Sequence, residues 1–244
     1  MCENNWLDRT EKLIGNENLQ EIKKTSIVVF GLGGVGSYVV EGLVRSGIEN
    51  IAIIDKDVVD ITNINRQIIA NTNTLGQPKV KVETDRILSI NPNVNIIGIQ
   101  EFISKDNIIE IMNKINQKFK ETNKSSKEFA IDYVIDAIDT VSSKLEIIKY
   151  CNTNDIPLIS CMGTGNKLDA NKFEITDITK TSVCPLAKVI RKELKKLQIP
   201  HLKILYSKEE PVKTNTSTPA SISFVPSVAG LLIAGEVIRN IINT

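Results

Sequence analysis

The four cysteines of this 244-residue chain (Cys2, Cys151, Cys161 and Cys184) form no C-x-x-C pair. That scatter argues against a disulfide framework and against a structural zinc site, and it suits a reducing cytoplasm. Histidine occurs once, as His201 beside Pro200, so no Ser-His-Asp triad and no His-rich metal site can be built. Charge of either sign is not in excess. Thirty basic residues against 29 acidic ones leave +1, so a polyanion would have to be met by a local patch. Long apolar runs are missing as well: MCENNWLDRTEK puts charges where a signal peptide needs an apolar stretch. The most apolar segment, Val228 to Gly235, is stopped by Glu236 and Arg239, short of the roughly 20 residues that span a bilayer. It reads as a buried helix, and no membrane partner is expected.

With 41% hydrophobic residues the chain can bury a substantial core. It reads as one domain over 1–244, with an N-terminal arm at 1–25 and a C-terminal extension from about 180 to 244. Ser26–Phe30 and Ile51–Asp55 are short β-branched runs with a helical pattern, Ser37 to Ser46, between them. Such a unit predicts parallel strands buried on both faces. The alternation continues through a helix after Pro78, a strand near Val94 to Ile99, a helix over Ile108 to Phe119 and a polar loop at Glu121 to Lys127. Strands at Tyr133–Asp136, Pro157–Cys161 and Phe173–Asp177 come next, with a helix from Ser142 to Cys151. The expected fold is α/β: a doubly wound, Rossmann-like, mostly parallel sheet with a C-terminal extension. That extension holds a basic helix (Pro185 to Leu197), a strand (Lys203 to Tyr206), a polar loop (Ser207 to Ser221) and a last apolar helix.

Gly31-Leu-Gly33-Gly34-Val-Gly36 follows the first strand and opens the first helix, and Asp55 ends the second strand. Glycines allow close backbone approach to phosphate, a helix N-terminus supplies free N–H donors, and an acidic residue takes ribose hydroxyls. The device serves NAD, FAD and ATP alike. The residues after it favour ATP. Asp57, then Asn63-Ile-Asn-Arg66-Gln67, then Gly76-Gln-Pro-Lys79 bring an arginine and a lysine to the phosphate end. Extra cations there suit a triphosphate and its leaving pyrophosphate, although a single surface Lys or Arg is usually just solvated. Asp139, in Asp136-Ala-Ile-Asp139 at the end of the fourth strand, is placed to hold Mg²⁺. The plain alternative is that Asp139 or Thr140 caps the next helix.

Together these motifs, GxGGxG, Asp55-x-Asp57, Asn63-x-x-Arg66-Gln67, Gly76-x-Pro-Lys79 and Asp136-x-x-Asp139, resemble the adenylating enzymes that activate ubiquitin-like sulfur carriers. The chain is more similar still to the tRNA threonylcarbamoyladenosine dehydratases. Arg9-Thr-Glu-Lys-Leu-Ile-Gly15, Thr62–Gln67, Val134–Asp139, Gly163-Thr-Gly-Asn-Lys167, Lys180–Lys188 and Phe224–Gly230 carry that resemblance over nearly the whole length. It implies that Asp55 binds ribose, that Asn63, Arg66 and Lys79 bind phosphates, that Asp139 holds the metal, and that Arg9 reaches the ATP of a partner subunit. It implies ATP-dependent activation of the threonyl carboxylate on adenosine 37 of tRNA, then ring closure with loss of water. The missing C-x-x-C pairs favour this branch. Where the dehydratases tend to carry a longer cysteine-bearing loop, this chain has Pro211 to Ser223.

The basic helix is the tRNA candidate. Leu186, Val189, Ile190, Leu194 and Leu197 make an apolar stripe, and Lys188, Arg191, Lys192, Lys195 and Lys196 fall mostly opposite. A charged helix face is usually only solvated, and the resemblance is what raises the RNA reading. Cys184 precedes Pro185 at the expected N-cap, where a nucleophile or an ordinary small buried side chain are both possible. The rival functions are an activator of a ubiquitin-like sulfur carrier, whose carrier or sulfur-transfer protein would be the partner, an NAD-dependent oxidoreductase, and a non-catalytic nucleotide-binding scaffold.

Overall fold

In the computed structural model the described residues are 5–123, 130–215 and 218–242. Cys2 and part of the expected polar loop at Glu121 to Lys127 lie outside them.

The β-branched runs form strands β1 (Ser26–Phe30), β2 (Asn50–Ile54), β3 (Asn95–Ile99), β4 (Tyr133–Asp136) and β5 (Leu158–Cys161). With β6 (Phe173–Asp177) and β7 (Lys203–Ser207) they make one seven-stranded sheet in the order β3-β2-β1-β4-β5-β7-β6. All neighbours are parallel except β6, which runs antiparallel along β7. Strands β1 and β2 are buried at every position, which explains the apolar run that follows their polar first residues, Ser26 and Asn50. Alternate residues face opposite layers. Ile27, Val29, Ile51, Ile53 and Ile135 join one core with helix α3 (Gly36–Arg45) and helix α8 (Phe224–Ile242). Val28, Phe30, Ala52, Ile54 and Val134 join the other with α5 (Ile108–Asn123) and α6 (Val141–Thr153). A third cluster packs α7 (Pro185–Lys196) against Ile204 and Tyr206 of β7. The chain order reverses between β1 and β4, so a crevice opens at the carboxyl ends of those two strands.

Three features differ from the sequence expectations. The N-terminal arm is two helices, α1 (Asp8–Ile14) and α2 (Asn16–Lys24), and within the arm Leu7, Leu19 and Ile22 are buried while Trp6 and Leu13 are exposed. The final helix is not buried all round. Val225, Ala229, Ile233 and Val237 face the core, while Phe224, Leu231 and Leu232 are exposed. By length and composition α8 alone among the described helices would be long and apolar enough to cross a membrane, yet its buried stripe packs on the sheet layer beside α3. On α7 the buried residues are Ala187, Ile190 and Leu194, whereas Val189 and Leu197 of the expected stripe are exposed. Helix α4 (Lys79–Ile90) starts just after Pro78 and carries the expected lysine at its first position.

Candidate nucleotide-binding and acceptor site

The crevice is a cavity of about 650 Å³, within the range of small-molecule sites. Gly31, Gly33 and Gly34 line it, together with Asp55, Asp57, Asn63, Arg66, Gln67, Lys79 and Asp139. Residues far apart in sequence therefore meet around one space, and of the expected nucleotide-site residues only Gly36 is behind its wall. Gly36 is there for packing: a Cβ on it would sit 1.7 Å from the Gly31 carbonyl oxygen.

Each polar group has a definable state. Asp55 anchors the glycine loop: its Oδ2 accepts from the Leu32 N–H at 2.6 Å and its Oδ1 from the Asp57 N–H at 2.8 Å. Each oxygen keeps a lone pair for a ribose hydroxyl. Lys79 is nearly buried, at 6% side-chain exposure, and its ammonium lies 3.1 Å from the half-exposed Asp57. It is therefore a fixed cation, not a solvated one. Asn63 fixes the turn before it by accepting from the Asp60 N–H. Arg66 donates to the Thr62 carbonyl and to Asn65 Oδ1, which aims the guanidinium along the cavity wall. Gln67 is buried with no hydrogen-bond partner on Oε1, an acceptor that a ligand hydroxyl or amino group would satisfy.

Asp139 is exposed on the rim and accepts a long 3.4 Å bond from Thr140 Oγ1. Thr140 is the N-cap of α6 and makes no side-chain capping bond, so the helix-cap alternative for this pair is not what the structure contains. Arg9 is exposed on α1 and is not among the residues lining the cavity of its own chain. Among the tRNA candidates, Lys188, Lys192 and Lys195 are exposed on the outer face of α7, and Lys196 pairs with Glu193 at 2.7 Å. Arg191 is a correction. It donates to the carbonyls of Ile178 and Thr181 and to the Thr181 hydroxyl, tying α7 to the preceding turn, because a fork of donors is captured by acceptors within its reach. Cys184 is buried at the N-cap of α7 and makes no capping bond with its side chain. His201 is exposed, with Nδ1 3.3 Å from Asp177.

Several groups escaped the sequence. Glu101, Phe102 and Ile103 wall the cavity beyond β3, and Lys56 sits over the Phe102 ring at 5.4 Å. Beneath the crevice Lys144 is wholly buried, and its ammonium donates to Asp136 Oδ2 at 2.9 Å, Ser160 Oγ at 3.1 Å and the Cys161 carbonyl at 2.8 Å. The Ser160 hydroxyl donates to the same carboxylate, and Asp136 Oδ1 accepts from the Ile138 N–H, which turns the chain toward Asp139. Burial pushes the neighbouring Cys161 thiol up to about 12, so it stays protonated. No local signal marked Lys144, since a lysine near the start of a helix looks like any other.

The cavity has two halves. Gly31 to Gly34, Asp55, Lys79 and Phe102 lie on the β1–β3 side, and Met162, Gly163, Thr164, Gly165, Leu186 and residues 218–221 lie on the β5 side. Arg66 and Asp139 also line it.

The sequence profile of the ThiF family matches residues 7–244. The tRNA threonylcarbamoyladenosine dehydratase of Bacillus subtilis (strain 168) is 39% identical over 252 aligned residues, covering 96% of this chain and 93% of that protein. The crystal structure of E. coli tRNA N6-threonylcarbamoyladenosine dehydratase, TcdA, in complex with ATP superposes with a TM-score of 0.85 at 31% identity, covering all of this chain and 97% of that one. The same E. coli protein in complex with AMP gives 0.86 at 30% identity, with the same coverage.

Proposed function

Because the chain belongs to the ThiF family, we propose that it is an ATP-dependent tRNA threonylcarbamoyladenosine dehydratase that adenylates the threonyl carboxylate on adenosine 37 and closes the ring. One observation carries the reading: Arg66, Lys79 and Asp139 line the same cavity as the glycine loop. A redox dinucleotide would leave these three without a shared task, whereas adenylation uses all of them. The full-length likeness to the Bacillus subtilis dehydratase supports the choice of acceptor.

In this scheme a threonyl carboxylate oxygen attacks the α-phosphorus of ATP, the bond to the bridging oxygen breaks, and pyrophosphate leaves. A nucleophilic atom of the same side chain then attacks the activated carbonyl, and AMP departs carrying the carboxylate oxygen. The net change in the nucleoside is the loss of one water. Asp55 holds the ribose and keeps the glycine loop in shape, and the loop amides meet phosphate oxygens. Lys79 and Arg66 offset the charge that builds on the leaving pyrophosphate. Asp139 suits Mg²⁺, with a hard carboxylate engaged by a single long hydrogen bond. No group of three or more His, Cys, Asp or Glu side chains converges on a metal site among the described residues, so Asp139 is the residue that would hold the ion. When bound and held by Asp139, Mg²⁺ would supply positive charge that offsets the phosphates' repulsion toward an anionic nucleophile.

The working form is proposed to be a cytoplasmic homodimer in which Arg9 of one subunit completes the site of the other. Support comes from position: Arg9 is exposed on α1 and outside its own cavity lining. The tRNA backbone is proposed to run along Lys188, Lys192 and Lys195 of α7. The test is to incubate threonylcarbamoyladenosine-containing tRNA with protein and ATP and weigh the nucleosides by mass spectrometry. Loss of one water from that nucleoside is expected. An unchanged nucleoside, with pyrophosphate released on a carrier-protein C-terminus instead, would move the function to the sulfur-carrier activators.

A further inference from the structure

The β5 side of the cavity is walled by two segments held together at several points. Asn166 forms the centre. Its N–H donates to the Ala220 carbonyl at 2.8 Å, and its side-chain Oδ1 accepts from the Ala220 N–H at 2.7 Å. Its own carbonyl accepts from the Val212 N–H at 2.7 Å. One residue thus exchanges both kinds of backbone bond with Ala220, as a ladder partner would, while using its side chain for one of them. Asn166 adopts φ +58°, the left-handed region that asparagine tolerates better than most residues. Next to it, Gly165 lies so close to the opposing segment that a Cβ on it would sit 2.9 Å from Pro219 Cβ. The neighbouring tie is also tight: Lys167 Nζ donates to the Glu209 carbonyl at 2.6 Å, and the Glu209 carboxylate accepts from the N–H groups of Leu168 and Asp169.

Gly163, Thr164, Gly165 and residues 218–221 all face the cavity. A nucleotide on the glycine loop fills the β1–β3 half and puts its phosphates at the point between β1 and β4 where the strand order reverses. In-line attack on the α-phosphorus must then come from the side away from the leaving pyrophosphate. On that ground we propose that the 163–166 and 218–221 walls form the acceptor half of the site, and that Asn166 is a positioning residue that fixes its shape. The inference rests on the dehydratase reading above and adds to it the place where the modified adenosine side chain enters. Asn166 touches neither ATP nor the reacting atoms. It acts by holding Ala220, and through it the wall, at a set distance from Gly165.

Two variants test this in opposite ways. Asn166→Gly keeps the left-handed backbone accessible and removes only the bond to the Ala220 N–H. Gly165→Ala keeps that bond and pushes the walls apart with one added carbon. Wild-type turnover on threonylcarbamoyladenosine-containing tRNA is measured first, and its absence would count against the dehydratase reading itself. With wild-type turnover in hand, Asn166→Gly, which loses one hydrogen bond, should raise the KM for tRNA about tenfold, and Gly165→Ala, which keeps that bond but displaces the wall, should raise it too. The ATP-induced shift in melting temperature and the KM for ATP should stay within about twofold of wild type, because the glycine-loop half is untouched. Merely destabilised protein would lose active fraction, lowering kcat for both substrates alike and leaving both KM values in place. That pattern, or a tRNA KM unchanged in both variants, overturns the proposal.

Discussion

Replacing Glu83 by glutamine should make the protein more stable, and by an amount that grows with pH. Glu83 lies on α4 at 1% exposure, and its Oε2 has no hydrogen-bond partner. Burial drives its carboxyl well above the usual range, only partly opposed by nearby Arg86 and reinforced by Glu41. The folded chain therefore holds Glu83 protonated at a pH where the unfolded chain has released that proton. A raised folded pKa contributes stability that is intact below the unfolded value, about 4.3, and is lost as pH rises toward the folded value. Across that window the loss is about 1.4 kcal/mol per pH unit. For a chain of this length that is roughly 3–5 °C of melting temperature per unit. Glutamine keeps the shape and carries no titrating proton, so the gap between Glu83→Gln and wild type should be near zero below pH ~4.5 and open steadily from about pH 5 upward. Glu41 nearby behaves oppositely. Burial raises its pKa, but bonds from Arg86 and Arg45 outweigh this and leave it ionised. It is present in both proteins and cancels in the difference. Calorimetry or dye-monitored melting at pH 5, 6 and 7 and constant ionic strength reads the slope. A gap independent of pH, or one that closes as pH rises, would show that Glu83 is ionised in the fold and that some group satisfies it.

Asp139→Asn should fold normally, because Asp139 makes no cap, and should lose at least about a hundredfold in kcat if the carboxylate holds the metal; calorimetric stability and turnover, measured side by side, check both halves. Arg9→Ala and Asp139→Asn homodimers should each be nearly inactive, and subunit exchange between them should restore about a quarter of wild-type activity, since half the dimers are mixed and each of those has one complete site. Confirmed exchange with no recovery would place Arg9 outside the partner's site. Reversing charge at Lys192 and Lys195 should weaken tRNA binding and flatten the log–log salt slope by about one unit per residue, with ATP affinity unchanged. Reversal at Lys196 should do less, its ammonium already being 2.7 Å from Glu193.

The parts of the molecule visible in the sequence are those whose chemistry repeats at fixed spacing. The run Gly31 to Gly36 between a buried strand and a helix announced the first unit of the sheet, and Gly31, Gly33 and Gly34 of that run line one cavity with Asp55 at the next strand end. Lys79 and Asp139 were legible because the ends of parallel strands and the starts of the following helices converge on one rim. What escaped depended on contacts between distant segments. Arg191 had the right charge and helix face for RNA, but the carbonyls that capture it sit 10 and 13 residues away. Lys144 has the pattern of a surface lysine until β5 is laid beside β4. The short apolar content of the first 25 residues hid two packed helices, because Leu7, Leu19 and Ile22 suffice when each is fully covered.

The ammonium of Lys144 has consequences for how the molecule comes apart. Its three acceptors belong to β4 and β5, and it reaches them from the helix that joins those strands. Losing β5 alone would leave the Asp136–Lys144 ion pair without the lysine's bonds to Ser160 and Cys161, at a cost of about 1–3 kcal/mol for each buried hydrogen bond left unmade. Partial unfolding along that seam is therefore suppressed. The two halves of the sheet should protect their amides from hydrogen exchange to the same free energy and release them together, so the nucleotide-binding half does not persist as a separately folded remnant when the other half opens.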